Sequence, residues 1–354
     1  MIQRRSLADF FFLGGFSLLA LPLLYFLFPP GENHSGAQAV ASLFLLALVL
    51  DFTINFPHFA YSYLIFYRNI WSKLTGKIDA ALTLRYWFAG IVVPSLLVGL
   101  LVYGVVGPDH TVLGYLVNFR LFTLGWHYAK QGLGILSLLN REKGCQISRI
   151  ERTLFHTNTH LVWLAIWSHF NRTGTSSYYI GIPFQSFELP PAVIFSLTVL
   201  AGLSSLATVL LIIMRGLRKG EVSFSTYGVL AYFSAAYLWI FFRLSLGETK
   251  GTILAFAFSP LFHSLQYYTI VHRYEKNRGS NLLELAAIGI LLGAFGFSWA
   301  PQLLAHFIDI SSSGIGPIFF KFAFWTFLNI HHFFIDNVSW RQESASVHRY
   351  LITK

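Results

Sequence analysis

The chain has 354 residues, 55% of them hydrophobic and only 11% charged, with a formal net charge of +10. Soluble domains carry roughly a quarter charged residues, so this composition excludes a water-soluble globular fold and reads as an all-α, polytopic integral membrane protein. A single cysteine, Cys145, excludes an internal disulfide and any zinc site built on paired thiolates, leaving histidine and carboxylate as metal ligands.

In chain order, apolar runs fall at 8–28, 39–66, 86–106, 113–139, 153–170, 192–214, 224–244, 252–271, 282–308 and 314–338. Crossing a hydrocarbon core takes roughly 20 residues of helix, so ten transmembrane helices are expected, in a single domain over 1–354. The first run, 21 residues long, exceeds the apolar stretch of a signal peptide and is read as a retained helix.

The order of the charges orients these runs. Alternate connections hold Arg4 and Arg5; Arg68, Lys73, Lys77 and Arg85; Arg141, Lys143, Arg149 and Arg152; Arg215, Arg218 and Lys219; Arg273, Lys276 and Arg278; and Arg341, Arg349 and Lys354. The intervening connections hold only Arg172, Arg243 and Lys250. Cytoplasmic loops collect Lys and Arg, so both termini are expected in the cytoplasm, and the compact loops suit a bacterial inner membrane. The same rule accounts for the positive charge, and no nucleic-acid partner is expected.

Polar groups inside the runs are costly in lipid and face a bundle interior. In the second run Asp51, Asn55, His58 and Ser62 share a face, with Pro57 placed to bend the helix and free a carbonyl. In the fourth, Arg120, Thr123, His127, Lys130, Gln131 and Gly134 form a stripe. In the eighth, Ser259, His263, Gln266 and Tyr267 do so around Pro260. In the tenth, Lys321, Trp325, Asn329, His332, Asp336 and Trp340 align, whereas His331 lies about 100° around the helix.

Depth ties these stripes together. Counted from the nearest inner charge, His58, His127, His160, His263 and His332 all lie roughly 13 to 21 Å into the membrane, and His156 is one turn below His160. A lone intramembrane histidine is an ordinary hydrogen-bonded packing residue. Several at one depth fit a shared metal, because an ion satisfies imidazole lone pairs that lipid cannot. The expected ligands are His58, His127, His263 and His332, with His331, His160 and His156 in reserve. Asp51, Asn55, Asn329 and Asp336 are expected behind them, Asp51 and Asp336 as acceptors for the far imidazole nitrogens. Gln266 and Tyr267 are candidates for orienting dioxygen or substrate. Lys130 is a candidate catalytic group or, with Arg120, a counter-ion to the aspartates.

Imidazole donors without thiolates suit iron, copper or zinc. Iron is favoured because 36 Phe, 17 Tyr and 9 Trp can line a lipophilic site, where unactivated hydrocarbon requires dioxygen chemistry. A haem with two axial histidines, and a proton or metal path, are the readings from other classes.

Two families share fragments of this pattern. Pro57-His58, with His127 in a later helix, resembles the microbial membrane β-carotene dioxygenases, which implies a single histidine-bound iron and oxidative cleavage of a polyene. His156-Thr157-Asn158-Thr159-His160 is similar to a His-x3-His box of membrane fatty-acid desaturases and hydroxylases, which implies a diiron alternative. Position 328, where a His-x2-His-His box would open, is Leu328. The expectation is therefore a membrane iron oxygenase acting with dioxygen on an isoprenoid, carotenoid-like or acyl substrate.

Overall fold

The structure, a computed structural model, describes residues 7–27 and 45–352 apart from 77, 176, 219, 246, 247 and 342. Arg4, Arg5, Lys77, Lys219 and Lys354 of the charge pattern, and the first six residues of the second apolar run, lie outside the described residues. The described chain is helical except for a two-stranded antiparallel hairpin, Tyr178–Tyr179 with Ile182–Pro183. Ten helices matter here: α1 (Phe16–Leu27), α2 (Phe56–Tyr67), α3 (Ala80–Val106), α4 (Thr111–Lys143), α5 (Arg149–Phe170), α6 (Pro191–Leu217), α7 (Thr226–Ser245), α8 (Glu248–Arg278), α9 (Leu282–Phe307) and α10 (Ile318–Ser339).

Four of them, α3, α6, α9 and α10, are long and apolar enough to cross a membrane. They correspond to the third, sixth, ninth and tenth predicted runs. Among them α10 is the most enclosed, with 56% of its apolar window buried, and α6 the least, with 11%. A helix apolar on its open side belongs against lipid, whereas α10 belongs among protein. Helices α4, α5 and α8 fall short of the same apolarity because their polar stripes and terminal charges dilute it.

The chain divides into two compact units. One comprises Met1–Asn55, Gly125–Phe170 and Leu189–His272. Within it α5 packs along α6 through polar contacts. Asn158 Nδ2 donates to Ser204 and Ser205 Oγ at 3.0 Å each, and its Oδ1 accepts from Tyr232 on α7 at 2.5 Å. At the N-terminal end of α5, Arg215 Nη1 donates to both oxygens of Glu151, at 2.6 and 2.7 Å. Burial alone would raise the Glu151 carboxyl, but the hydrogen bonds from Arg215 and Ser148 outweigh it and hold it below its usual value. A depressed carboxylate stabilises the fold above its unfolded pKa and loses that contribution as pH falls through its folded pKa. Glu151→Ala leaves the Arg215 guanidinium with the more exposed Glu221, 3.4 Å away, and is expected to cost about 2 kcal/mol, read as a lower thermal midpoint, with a shallower loss of stability on acidification.

The other unit comprises Phe56–Leu124, Asn171–Glu188 and Arg273–Lys354. Here α2 lies against α9 and α10. Two glycines one turn apart on α9 let the backbones approach. A Cβ on Gly293 would stand 2.6 Å from the Phe56 carbonyl carbon, and one on Gly289 would strike the Tyr61 ring. Small residues four apart are a common route to close helix contact in membranes.

Prolines shape the helices that carry the site. Wide π-turns occur at Asp51–Asn55, Phe88–Val92 and Phe295–Trp299, and each ends two residues before a proline, Pro57, Pro94 and Pro301. Proline lacks an N–H and crowds the carbonyl four residues back, so the preceding turn widens and carbonyls lose their helical donors. In lipid such groups need another partner. Tyr67 donates to Gly90 O at 3.3 Å, and Trp325 Nε1 donates to Phe297 O at 2.8 Å, these being the carbonyls four before Pro94 and Pro301. Tyr268 serves Ile54 O, beside the Pro57 kink, at 2.5 Å.

Candidate metal centre

His58 follows Pro57 directly, so the kink that opens α2 sets where this imidazole points. Its ring meets that of His332 on α10 edge-on, with centroids 4.5 Å apart. Phe59 packs beside His332, also at 4.5 Å, and lies tilted against Phe297 at 4.9 Å. His332 Nε2 lies 3.7 Å from Asp336 Oδ2, and the other carboxylate oxygen accepts from Trp340 Nε1 at 3.2 Å. The i, i+4 spacing that aligned His332 with Asp336 in the sequence thus brings the two side chains together.

His127 on α4 and His263 on α8 form a second close pair. Their Nε2 atoms are 2.9 Å apart. Tyr128 stacks on the His263 ring with centroids 4.1 Å apart, and Gln131 Nε2 donates to the His263 carbonyl at 2.9 Å. Together these contacts fix both the plane of the His263 ring and the register of its helix.

All four histidines are buried, and each unit holds one close pair, His58 with His332 in one and His127 with His263 in the other. Two nitrogens held about 2.1 Å from one ion are about 3.0 Å apart when cis, so the 2.9 Å between His127 Nε2 and His263 Nε2 is ligand spacing. Buried, closely paired imidazoles are the chemically distinctive feature of the described residues. Their donor set fits iron, copper or zinc and does not fit the oxygen cage that calcium requires.

The reserve histidines lie elsewhere. His331 has both nitrogens engaged: Tyr63 OH is 2.8 Å from Nδ1, and Ala89 O is 3.0 Å from Nε2. A carbonyl only accepts, so Nε2 carries the proton and Nδ1 accepts from the tyrosine. Ala89 sits in the π-turn ahead of Pro94, and His331 is therefore a donor to a kinked helix. His331→Phe is expected to leave bound metal unchanged while lowering stability by about 1–3 kcal/mol, the cost of an unmet buried carbonyl, read by thermal unfolding beside elemental analysis. His156 and His160 are on α5, where His160 Nδ1 lies 2.6 Å from the His156 carbonyl, and they line a separate groove.

The surrounding candidates are variously placed. Asp51 accepts from Asn55 at 3.0 Å, and Asn55 Oδ1 accepts from Ser264, the residue after His263, at 3.2 Å. Asn329 donates to Trp325 O at 2.7 Å, a bond within its own helix. The amide nitrogen of Gln266 is committed to Leu13 O, Ala231 O and Ser234 Oγ at 3.1, 3.2 and 2.8 Å. That commitment makes Gln266 a packing element joining α8 to α7 and to the segment ahead of α1. Tyr267 is buried, and Lys130 is half-buried and acts electrostatically on His156. Arg120 stacks on the Tyr179 ring, 4.2 Å from its centroid. The residues that sequence reasoning did not single out are Tyr63, Tyr67, Tyr128 and Tyr268. Three of them serve the proline kinks or the histidine that does, and Pro57, Pro94 and Pro301 were the available signal.

No family model, no curated protein and no solved structure matches the chain. The chemistry of the site therefore rests on its own residues.

Proposed function

We propose that the chain is a membrane-embedded metalloenzyme, and more narrowly a mononuclear non-haem iron oxygenase that acts with dioxygen on a lipophilic substrate of isoprenoid, carotenoid-like or acyl type. The observation that carries this reading is the two buried histidine pairs, His58 with His332 and His127 with His263, on polar stripes that the charge order sets at one depth. His58, His127, His263 and His332 would hold the ion. Iron bound in this way would supply activation of dioxygen, which hydrolytic metals do not.

The remaining roles belong to the chain's own side chains. Asp336, whose Oδ2 lies 3.7 Å from His332 Nε2, would accept that nitrogen's proton and so leave the other ring nitrogen for the ion. Phe59, Phe297 and Tyr128 keep water from the imidazoles, and their ring faces give an apolar substrate a surface to lie on. In the membrane, we propose the ten-span arrangement with both termini in the cytoplasm, in a bacterial inner membrane. Four of those spans have support from length and apolarity, and the others from the charge order.

The test is elemental analysis and an absorption spectrum of the purified protein, followed by dioxygen consumption with a polyene and with a fatty acyl lipid. One iron per chain without a Soret band, and uptake dependent on one of these substrates, supports the proposal. A Soret band, two irons per chain, or stoichiometric zinc instead of iron would overturn it. The common depth of the four histidines along the sequence favours a centre over a path for protons or metal ions.

A further inference from the structure

We propose that the face of α5 bearing Arg149, Arg152, His156 and His160 is a binding site for the phosphate headgroup of an anionic lipid. These residues line an open groove of about 740 Å³, with Thr157 and Leu161 completing the wall. The spacing follows the helix: positions 149, 152, 156 and 160 recur on one face. The opposite face carries Glu151 and Asn158, which are buried against Arg215 and against Ser204 and Ser205. The groove thus has two arginines, two imidazoles and no carboxylate in its lining.

Charge and position point to the same ligand. Neither Arg149 nor Arg152 forms an ion pair among the described residues, and both are exposed, which is the state of an anion site and not of a structural bridge. Lys130 on α4 adds a further positive charge close to His156. The arginines stand at the helix end that the charge order puts on the cytoplasmic side, where lipid phosphates lie. Deeper in, His160 packs against Trp163 with ring centroids 6.1 Å apart, and Leu161 gives an apolar wall. A cationic mouth leading to an apolar wall suits a phosphodiester attached to acyl chains better than a free phosphate ion. Thr157 contributes a hydroxyl for a headgroup oxygen. This assignment is independent of the metal centre.

The test uses the full chain in detergent, titrated with phosphatidylglycerol and separately with phosphatidylcholine, with bound lipid counted by native mass spectrometry. The expected result is one retained phosphatidylglycerol, weaker retention of phosphatidylcholine, and about a tenfold loss of phosphatidylglycerol affinity in R149Q/R152Q. The control R85Q/K276Q removes two exposed charges from other predicted inner segments and is expected to stay within twofold of wild type. Equal retention of the two lipids by wild type overturns the proposal without recourse to any variant. So does a double variant that binds like wild type, or a control that loses as much. Displacement of the lipid by millimolar inorganic phosphate would assign the groove to a free anion and overturn the lipid assignment.

Discussion

Alanine at any one of His58, His127, His263 or His332 is expected to lower metal retained by the purified protein by more than the roughly 10- to 100-fold that losing a supporting partner costs. Each variant removes one of the four proposed donors, every one of them a buried imidazole. H331A serves as the matched control. It removes an imidazole from the adjacent position of the same helix, but one that serves Tyr63 and Ala89 O. Elemental analysis of the five variants, normalised to protein and paired with a folding check by circular dichroism, makes the comparison. Four metal-depleted proteins and one loaded one would match the geometry. Loss of metal from H331A equal to that from H332A, in a protein that is still folded, would sink the distinction.

The second large effect comes from a residue with no side chain. Gly293→Ala is expected to destabilise the protein by about 1–3 kcal/mol and to weaken metal retention together with it. The added methyl would stand 2.6 Å from the Phe56 carbonyl carbon and 2.8 Å from its oxygen, both main-chain atoms that no rotamer change can move aside. Either α9 or the start of α2 must shift. Phe56 is two residues before His58, so the displacement falls on the strip of backbone that aims a ligand. Gly99 on α3 gives the control, since a Cβ there meets nothing within 4 Å. Thermal midpoints and metal content of G293A and G99A check this. Equal behaviour of the two would mean that the close approach of α9 to α2 carries no weight.

The two buried histidine pairs were legible because two simple periodicities were enough to pick out their members. Counting from the inner charges gave depth, and 100° per residue gave the face, so His332 separated from its neighbour His331 before any tertiary contact was known. What stayed hidden was the purpose of His331. Its partner, the Ala89 carbonyl, is 242 residues away and became available only because the turn before Pro94 widens. No local pattern reports that event. Gln266 misled for a related reason. Its position on the stripe of His263 was read correctly, but a side-chain amide has several hydrogen bonds to place, and the backbone of the segment ahead of α1 claimed one of them. Apolarity alone was a poor guide to the helices that carry most of the chemistry. α4 and α8, which bear His127 and His263, fall below the apolarity that α3, α6, α9 and α10 reach, since the groups that make a site are the ones that lower it.

The proline kinks also impose an order in time. A chain emerging into a membrane from its amino terminus delivers α3 long before α10, and Phe297 before Trp325. The Ala89 carbonyl must therefore wait, beside lipid or provisional water, until the residue 242 positions later arrives with the proton it needs. The Phe297 carbonyl waits for a residue 28 positions on. Assembly of this unit is thus not a sequence of finished hairpins. Its last helix carries both Trp325 and His331, so the carbonyls freed at the kinks of α3 and α9 gain these donors only once α10 has packed.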